Sequence, residues 1–239
     1  FAGLGAYLLG WLKFPHDSPL KKLSPLRIGL AVVSLAFVAY LLTGFRVNDR
    51  SGAYQPLTLL SGLAPPVCYS FWQPCDCPQG LECFKDLEEG LAYAREHNKP
   101  VMLDFTGYAC VNCRKMEEHV WPEPEVMPYL RDDYVLISLY VDDKKALDEE
   151  LEVLQSHNGQ PRTLRTIGNK WSYFQTEYFQ INAQPYYVLI APDGRLLNQP
   201  AIYTPDPVEY GEFLRCGLEN YQRLTENQQR QERQLGQKQ

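Results

Sequence analysis

The chain has 239 residues, 45% of them hydrophobic and 22% charged, with a formal net charge of −6. That length holds one domain of ordinary size and a further segment, and the acidic balance argues against a nucleic-acid-binding surface. Seven cysteines are dense for a reduced cytosolic chain and point to an oxidising compartment, where disulfides persist; the odd total leaves at least one thiol unpaired within the chain.

The chain opens on Phe1 in mid-hydrophobic sequence, which reads as a piece of a longer protein or a processed one. The first stretch, "FAGLGAYLLGWLKF", reads as the tail of a preceding membrane segment or as an interfacial helix. From Ile28 to Phe45 there is no charged residue. As a helix this run rises roughly 27 Å, close to the roughly 30 Å hydrocarbon core of a bilayer, and a transmembrane helix is expected over about 28–45. A buried core helix is the alternative. A cleaved signal peptide fits less well, because the run is longer than a usual apolar leader and follows another apolar stretch. Lys13, Lys21, Lys22 and Arg27 precede the run, and only Arg46 and Arg50 lie close behind it. The positive-inside rule places the first loop in the cytoplasm and everything after Phe45 outside, which in a Gram-negative cell is the periplasm. Residues 1–45 are thus expected to be the end of a membrane domain.

Residues 46–85 read as a periplasmic linker carrying Cys68, Cys75, Cys77 and Cys83. These four allow three complete pairings; two structural disulfides, a metal or cluster site, and a second redox centre are the readings open to them. Asp86 to Lys99 has helical character, with Leu87, Leu91 and Ala94 spaced for one face. "PVMLDFT" is a buried strand, and a helix follows "CVNC". "YVLISLYVDD" is a second buried strand. The segment 144–170 is a long intervening stretch, either a partner-docking insert or a surface excursion. "PYYVLIAPDGRLLNQP" reads as a strand, a turn and a return strand. A closing amphipathic helix follows Asp206, its candidate N-cap. The polar tail, 225–239, is expected to be frayed. Strands alternating with helices and ending in a hairpin imply an α/β fold with a mixed central sheet flanked by helices.

The chemistry concentrates in Cys110 and Cys113, two thiols at a helix mouth directly after a buried strand. A thiol there faces unpaired backbone N–H groups and the positive end of the helix dipole. Such a site lowers a thiol pKa from about 8.5 into the range of roughly 3.5 to 7.5. Cys110 at the turn is the expected attacker and Cys113, one turn in, the resolver of a thiol–disulfide exchange. A structural disulfide and a zinc site compete with this reading; structural zinc takes four ligands, usually from two such pairs, and C-x6-C-x-C-x5-C is no familiar second half. His16, His97, His119 and His157 show no ligand spacing, so no metal is assigned. Cys216 reads as a small hydrophobe of the closing helix.

The stretch "VMLDFTGYACVNCRKMEEHVW", with the preceding span, resembles the DsbD family of transmembrane thiol:disulfide interchange proteins. The resemblance runs from about Leu87 to Leu224, within an expected domain of 86–224. It implies a thioredoxin-like fold behind the last helix of a membrane domain in the bacterial inner membrane. It further implies a protein-disulfide reductase that draws electrons from a membrane thiol pair of the same full-length protein. The electrons pass to periplasmic thioredoxin-like proteins or disulfide isomerases and serve cytochrome c biogenesis; they travel on sulfur, and no cofactor is needed. Membrane lipid is a further expected partner. By the same resemblance, Cys110 and Cys113 form the redox-active disulfide, and Asp104 is the buried acid that relays the proton of Cys113. Glu117 is a second acid that tunes the pair. Pro185 is the cis-proline facing the disulfide. Gln184 and Tyr108 complete the substrate-binding rim. The plainer alternatives are a strand-end turn for Asp104, an exposed partner of Arg114 for Glu117, and an ordinary turn proline at 185. Thioredoxins carry Trp directly before the first cysteine, whereas this chain has Ala109, which leaves the potential open. A periplasmic oxidase or isomerase and a copper-binding metal carrier are the alternative functions.

Overall fold

The computed structural model describes residues 1–17, 22–46, 57, 59–61, 77–154 and 159–236. Cys68, Cys75 and His157 therefore lie outside the described residues. The chain divides into two compact units, Phe1–Leu59 and Leu60–Gln239.

In the first unit, α1 (Ala2–Leu8) packs on α2 (Pro25–Thr43). A Cβ on Gly5 would meet Leu35 at 2.8 Å, so the glycine sets the close approach of the two helices. The Arg27 guanidinium donates to the carbonyls of Tyr7 and Leu8, satisfying the C-terminal end of α1. The helix expected over 28–45 begins three residues earlier, because Ser24 accepts from the Arg27 N–H and Pro25 suits the first helical position. At nineteen residues it is long and apolar enough to cross a membrane.

The second unit is a four-stranded mixed sheet in the order β1-β3-β2-β6, formed by β1 (Cys83–Phe84), β2 (Val101–Thr106), β3 (Val135–Tyr140) and β6 (Tyr186–Ile190). β1 and β2 run parallel to β3, and β6 runs antiparallel to β2. The helices are α3 (Leu87–His97), α4 (Val111–His119), α5 (Ile167–Phe179) and α6 (Pro207–Gly236). Asp86 caps α3 by accepting from Glu88 and Glu89, and Asn98 ends it in the left-handed conformation. Asp206 likewise accepts from the Val208 and Glu209 N–H groups at the start of α6.

The period-2 alternation of strands sorts the core into two layers. Leu103, Phe105, Ile137 and Val188 pack with Ala94 of α3 and Trp171 of α5. Met102, Leu136, Tyr187 and Leu189 pack with Met116 of α4 and Tyr210 and Leu214 of α6. The same alternation puts Asp104 and Thr106 of β2 and Ser138 of β3 on the α4 side, among apolar neighbours. These polar side chains are at most 1% exposed.

Four features differ from the sequence expectations. The interval 144–170 contains a two-stranded antiparallel hairpin, β4 (Ala146–Leu154) and β5 (Pro161–Thr166), followed by the start of α5. The return strand after the Pro-Asp-Gly turn is reduced to the bridges Ile190–Leu196 and Tyr187–Ala201; Pro200 between them has no N–H to give a ladder. The tail expected to fray continues α6 to Gly236, as its Glu, Gln and Arg content allows. The last part of the 46–85 linker belongs to the sheet unit, since Cys77 is buried in the α4–α6 layer and β1 pairs with β3.

Candidate functional site

β2 ends at Thr106, Gly107 turns the chain, and α4 begins at Val111 with Cys110 as its N-cap. The Cys110 Sγ accepts from the Cys113 N–H at 3.1 Å, which places the sulfur among the unpaired amides of the first helical turn. Cys110 is half-buried, whereas Cys113 is 1% exposed. The two are joined as a disulfide with Cα atoms 5.3 Å apart. One sulfur of the bond is reachable and the other is covered, an asymmetry suited to a directional exchange.

The loop before the pair is held from β3. Thr106 is in register with Tyr140, so Asp142, just beyond β3, reaches across to the turn after β2. Its carboxylate accepts from the Tyr108 N–H at 2.8 Å and the Ala109 N–H at 2.9 Å. A Cβ at Gly107 would lie 3.0 Å from that carboxylate. The rings of Tyr108 and Tyr140 stack at 4.2 Å.

Beneath α4 lies a buried ionic cluster. Arg114 Nη2 donates to Glu117 Oε1 at 2.6 Å and to Thr106 Oγ1 at 3.2 Å. Ser138 Oγ donates to Asp104 Oδ2 at 3.2 Å. Asp104 Oδ1, Arg114 Nε and Arg114 Nη1 have no hydrogen-bond partner. Burial pushes the Asp104 carboxyl up to about 7, against the opposing pull of the Arg114 guanidinium and the Ser138 hydroxyl. Burial also lifts Glu117 well above the ordinary carboxylate range; Arg114 opposes this, while Asp104 and Glu118 add to it. Both acids are thus inside the fold, and neither the turn reading of Asp104 nor the exposed-pair reading of Glu117 describes them.

The Gln184–Pro185 peptide bond is cis. The loop before it is tied to α5 by Gln175, which is 0% exposed. The Gln175 amide donates to the Ala183 carbonyl at 2.8 Å, and its oxygen accepts from Gln184 Nε2 at 3.1 Å. On the far side of α4, Cys77 and Cys83 are disulfide-bonded, and Gln79 between them donates to the Glu117 main-chain carbonyl at 2.8 Å. Of the four cysteines read as a group, these two form a pair against α4. Cys216 is the free cysteine among the described residues and is only half-buried. His119 is exposed on α4. Among the described residues no group of three or more His, Cys, Asp or Glu side chains is arranged to hold a metal ion.

Sequence reasoning missed Asp142 and Gln175, and it took Arg114 only as an exposed partner of Glu117, not as a buried one. The double aspartate ending a buried strand was a visible signal for Asp142. A lone glutamine on an aromatic-rich stretch and an arginine on a charged helix carried none.

Residues 87–209, a little over half of the chain, match the sequence pattern of the thioredoxin-like domain family. The chain belongs to that family. It is 36% identical over 77 residues to the thiol:disulfide interchange protein DsbD of Vibrio vulnificus (strain CMCP6), covering 32% of this chain and 13% of that protein. It is 27% identical over 135 residues to the thiol:disulfide interchange protein DsbD 1 of Pseudomonas aeruginosa, covering 54% of this chain and 21% of that one. The chain thus aligns with well under a third of the length of these curated relatives. Among solved structures, the DsbH oxidoreductase superposes with a TM-score of 0.41 at 18% identity, over 58% of this chain and 85% of that chain. The domain is a thioredoxin-like oxidoreductase fold with a disulfide-forming cysteine pair.

Proposed function

We propose that this domain is a protein-disulfide reductase that passes electrons from a membrane thiol pair of its full-length protein to partner proteins in the periplasm. The observation that carries the reading is the pairing of a half-buried N-cap cysteine, Cys110, with a fully covered one, Cys113, at the end of the strand that carries the buried acid Asp104.

In the reduced domain the Cys110 thiolate attacks one sulfur of a partner disulfide. A Cys110–partner S–S bond forms, the partner's own S–S bond breaks, and its second sulfur leaves as a thiolate that takes a proton. Cys113 then attacks Cys110 Sγ, giving its proton to the Asp104 carboxylate. The Cys110–Cys113 disulfide forms, and the partner's first sulfur departs. Two electrons have moved to the partner, and a membrane dithiol returns two to the domain. On this reading Pro185, Gln184 and Tyr108 receive the partner; Gln175 holds Gln184 and Asp142 holds the Tyr108 amide. The apolar helix α2 anchors the domain to the inner membrane, with lipid as its surroundings.

The test is mixed-disulfide trapping. Cys113→Ala leaves an attacker with no resolver and should accumulate covalent partner complexes that vanish with reductant, whereas Cys110→Ala should trap few. Equal trapping by both variants would reverse the assignment of attacker and resolver. No trapping by either would remove the reductase reading. A measured potential near that of thioredoxin, about −270 mV, separates a reductase from an oxidase near −120 mV.

A further inference from the structure

We propose that Arg114 is the counter-ion that fixes how many protons the buried site holds: with its guanidinium in place, Asp104 and Glu117 share one. Three ionisable side chains are buried in the layer between β2 and α4: Arg114 bonds Glu117 and also Thr106, two residues along β2 from Asp104, and Arg114, Asp104 and Glu117 are 2%, 1% and 4% exposed. An arginine keeps its charge in any environment a protein offers. With both acids ionised the cluster carries a net negative charge, and with both protonated a net positive one. A buried net charge is strongly disfavoured, so the neutral arrangement holds a single proton between the two carboxyls. The hydrogen bonding agrees with this count. The guanidinium engages Glu117 at 2.6 Å, while Asp104 Oδ1 is left with no partner and free to hold or receive a proton. The two acids titrate as a pair, not as independent sites.

The other groups facing the cluster leave the count unchanged. Glu118, next along α4, acts on Glu117. Tyr187 of β6 and Tyr210 of α6 are buried phenols held far above their ordinary range by burial, so both stay neutral. Ser138 and Thr106 supply only hydroxyls. The inference deepens the reductase reading and rests on it for its use. One shared proton leaves one carboxylate able to receive the Cys113 proton in passing as that sulfur joins Cys110; the pair then releases a proton to solvent, because holding two would leave the cluster charged.

The test is carboxyl 13C NMR titration of the oxidised full chain in detergent micelles, with Asp and Glu labelled, for the native protein, Arg114→Met and Arg114→Lys. In the native protein one buried carboxyl should carry a proton near neutral pH while the other stays ionised. Arg114→Met should move the buried midpoints up by about one pH unit or more, with both carboxyls protonated at neutral pH. Arg114→Lys should titrate close to the native protein. Midpoints unmoved by methionine would overturn the proposal, and so would a lysine variant that titrates like the methionine one. Should Arg114→Met not fold, Arg114→Gln keeps donors for Glu117 and Thr106 without the charge, and the buried midpoints should still rise; unchanged midpoints there overturn the proposal equally. Failure of mixed-disulfide trapping would remove the reductase reading and leave this proton count standing, so the two fail separately.

Discussion

Asp104→Asn measures the cost of holding a carboxyl inside the sheet. The native carboxyl titrates at about 7, against an ordinary value of 3.8, a gap of roughly three pH units at about 1.4 kcal/mol each. The folded state therefore binds this proton more tightly than the unfolded chain. The contribution of Asp104 to stability is fully present below about pH 4 and is lost as pH rises through about 7. The whole change is about 4 kcal/mol. Asparagine retains an acceptor for the Ser138 hydroxyl and cannot ionise. The stability of the variant relative to the native protein should consequently climb by about 4 kcal/mol between roughly pH 4 and pH 8. Glu117 is raised partly by Asp104, so loss of that carboxyl lets Glu117 ionise more readily in the variant and adds to the climb in the same direction. Denaturant unfolding of the oxidised protein in detergent, repeated across this range, gives the curve. A difference that stays flat with pH would refute the reasoning, because it would mean that Asp104 is no harder to ionise folded than unfolded.

Asp142→Ala removes the acceptor of two backbone amides. It should cost about 1–3 kcal/mol in denaturant unfolding and speed hydrogen exchange at Tyr108 and Ala109. Gly168→Ala places a Cβ 2.7 Å from the main chain of Val141 and Asp143, which cannot swing aside. A loss of about 1–3 kcal/mol is expected in thermal or denaturant unfolding. A reporter enzyme active only outside the cytoplasm, fused after Gln239, should be active. Activity of a cytoplasmic reporter at that junction instead would reverse the proposed topology.

The disulfide-forming pair and its setting were legible because the information is local. A buried strand, a turn and two thiols at the helix mouth occupy one short stretch, and strand alternation assigns Asp104 to a face once the sheet is known. Arg114 was not legible. On a helix rich in charge it reads as surface, and it is buried because its guanidinium meets Thr106 of β2 and Glu117 beneath α4. The hairpin was missed for a related reason. β4 is largely acidic and exposed, with no apolar alternation, so its strand character lies in its pairing with β5. α5 mixes aromatic and polar residues without a clean stripe, and its buried Gln175 shows a purpose only beside Gln184. Residues 77–85 looked like linker because a two-residue strand, β1, has no sequence period to detect.

The hydrogen bond onto Cys110 Sγ comes from the main chain of residue 113. On the proposed exchange that position holds two separable assets, a sulfur that ends the exchange and an amide that helps the other sulfur stay anionic. Alanine at 113 discards the first and keeps the second, so a stalled complex should form at an undiminished rate. Proline at 113 would discard both, since its ring nitrogen carries no hydrogen, and would slow capture as well as abolish release. The contrast between these two substitutions measures what one backbone N–H contributes to the reactivity of a neighbouring thiol.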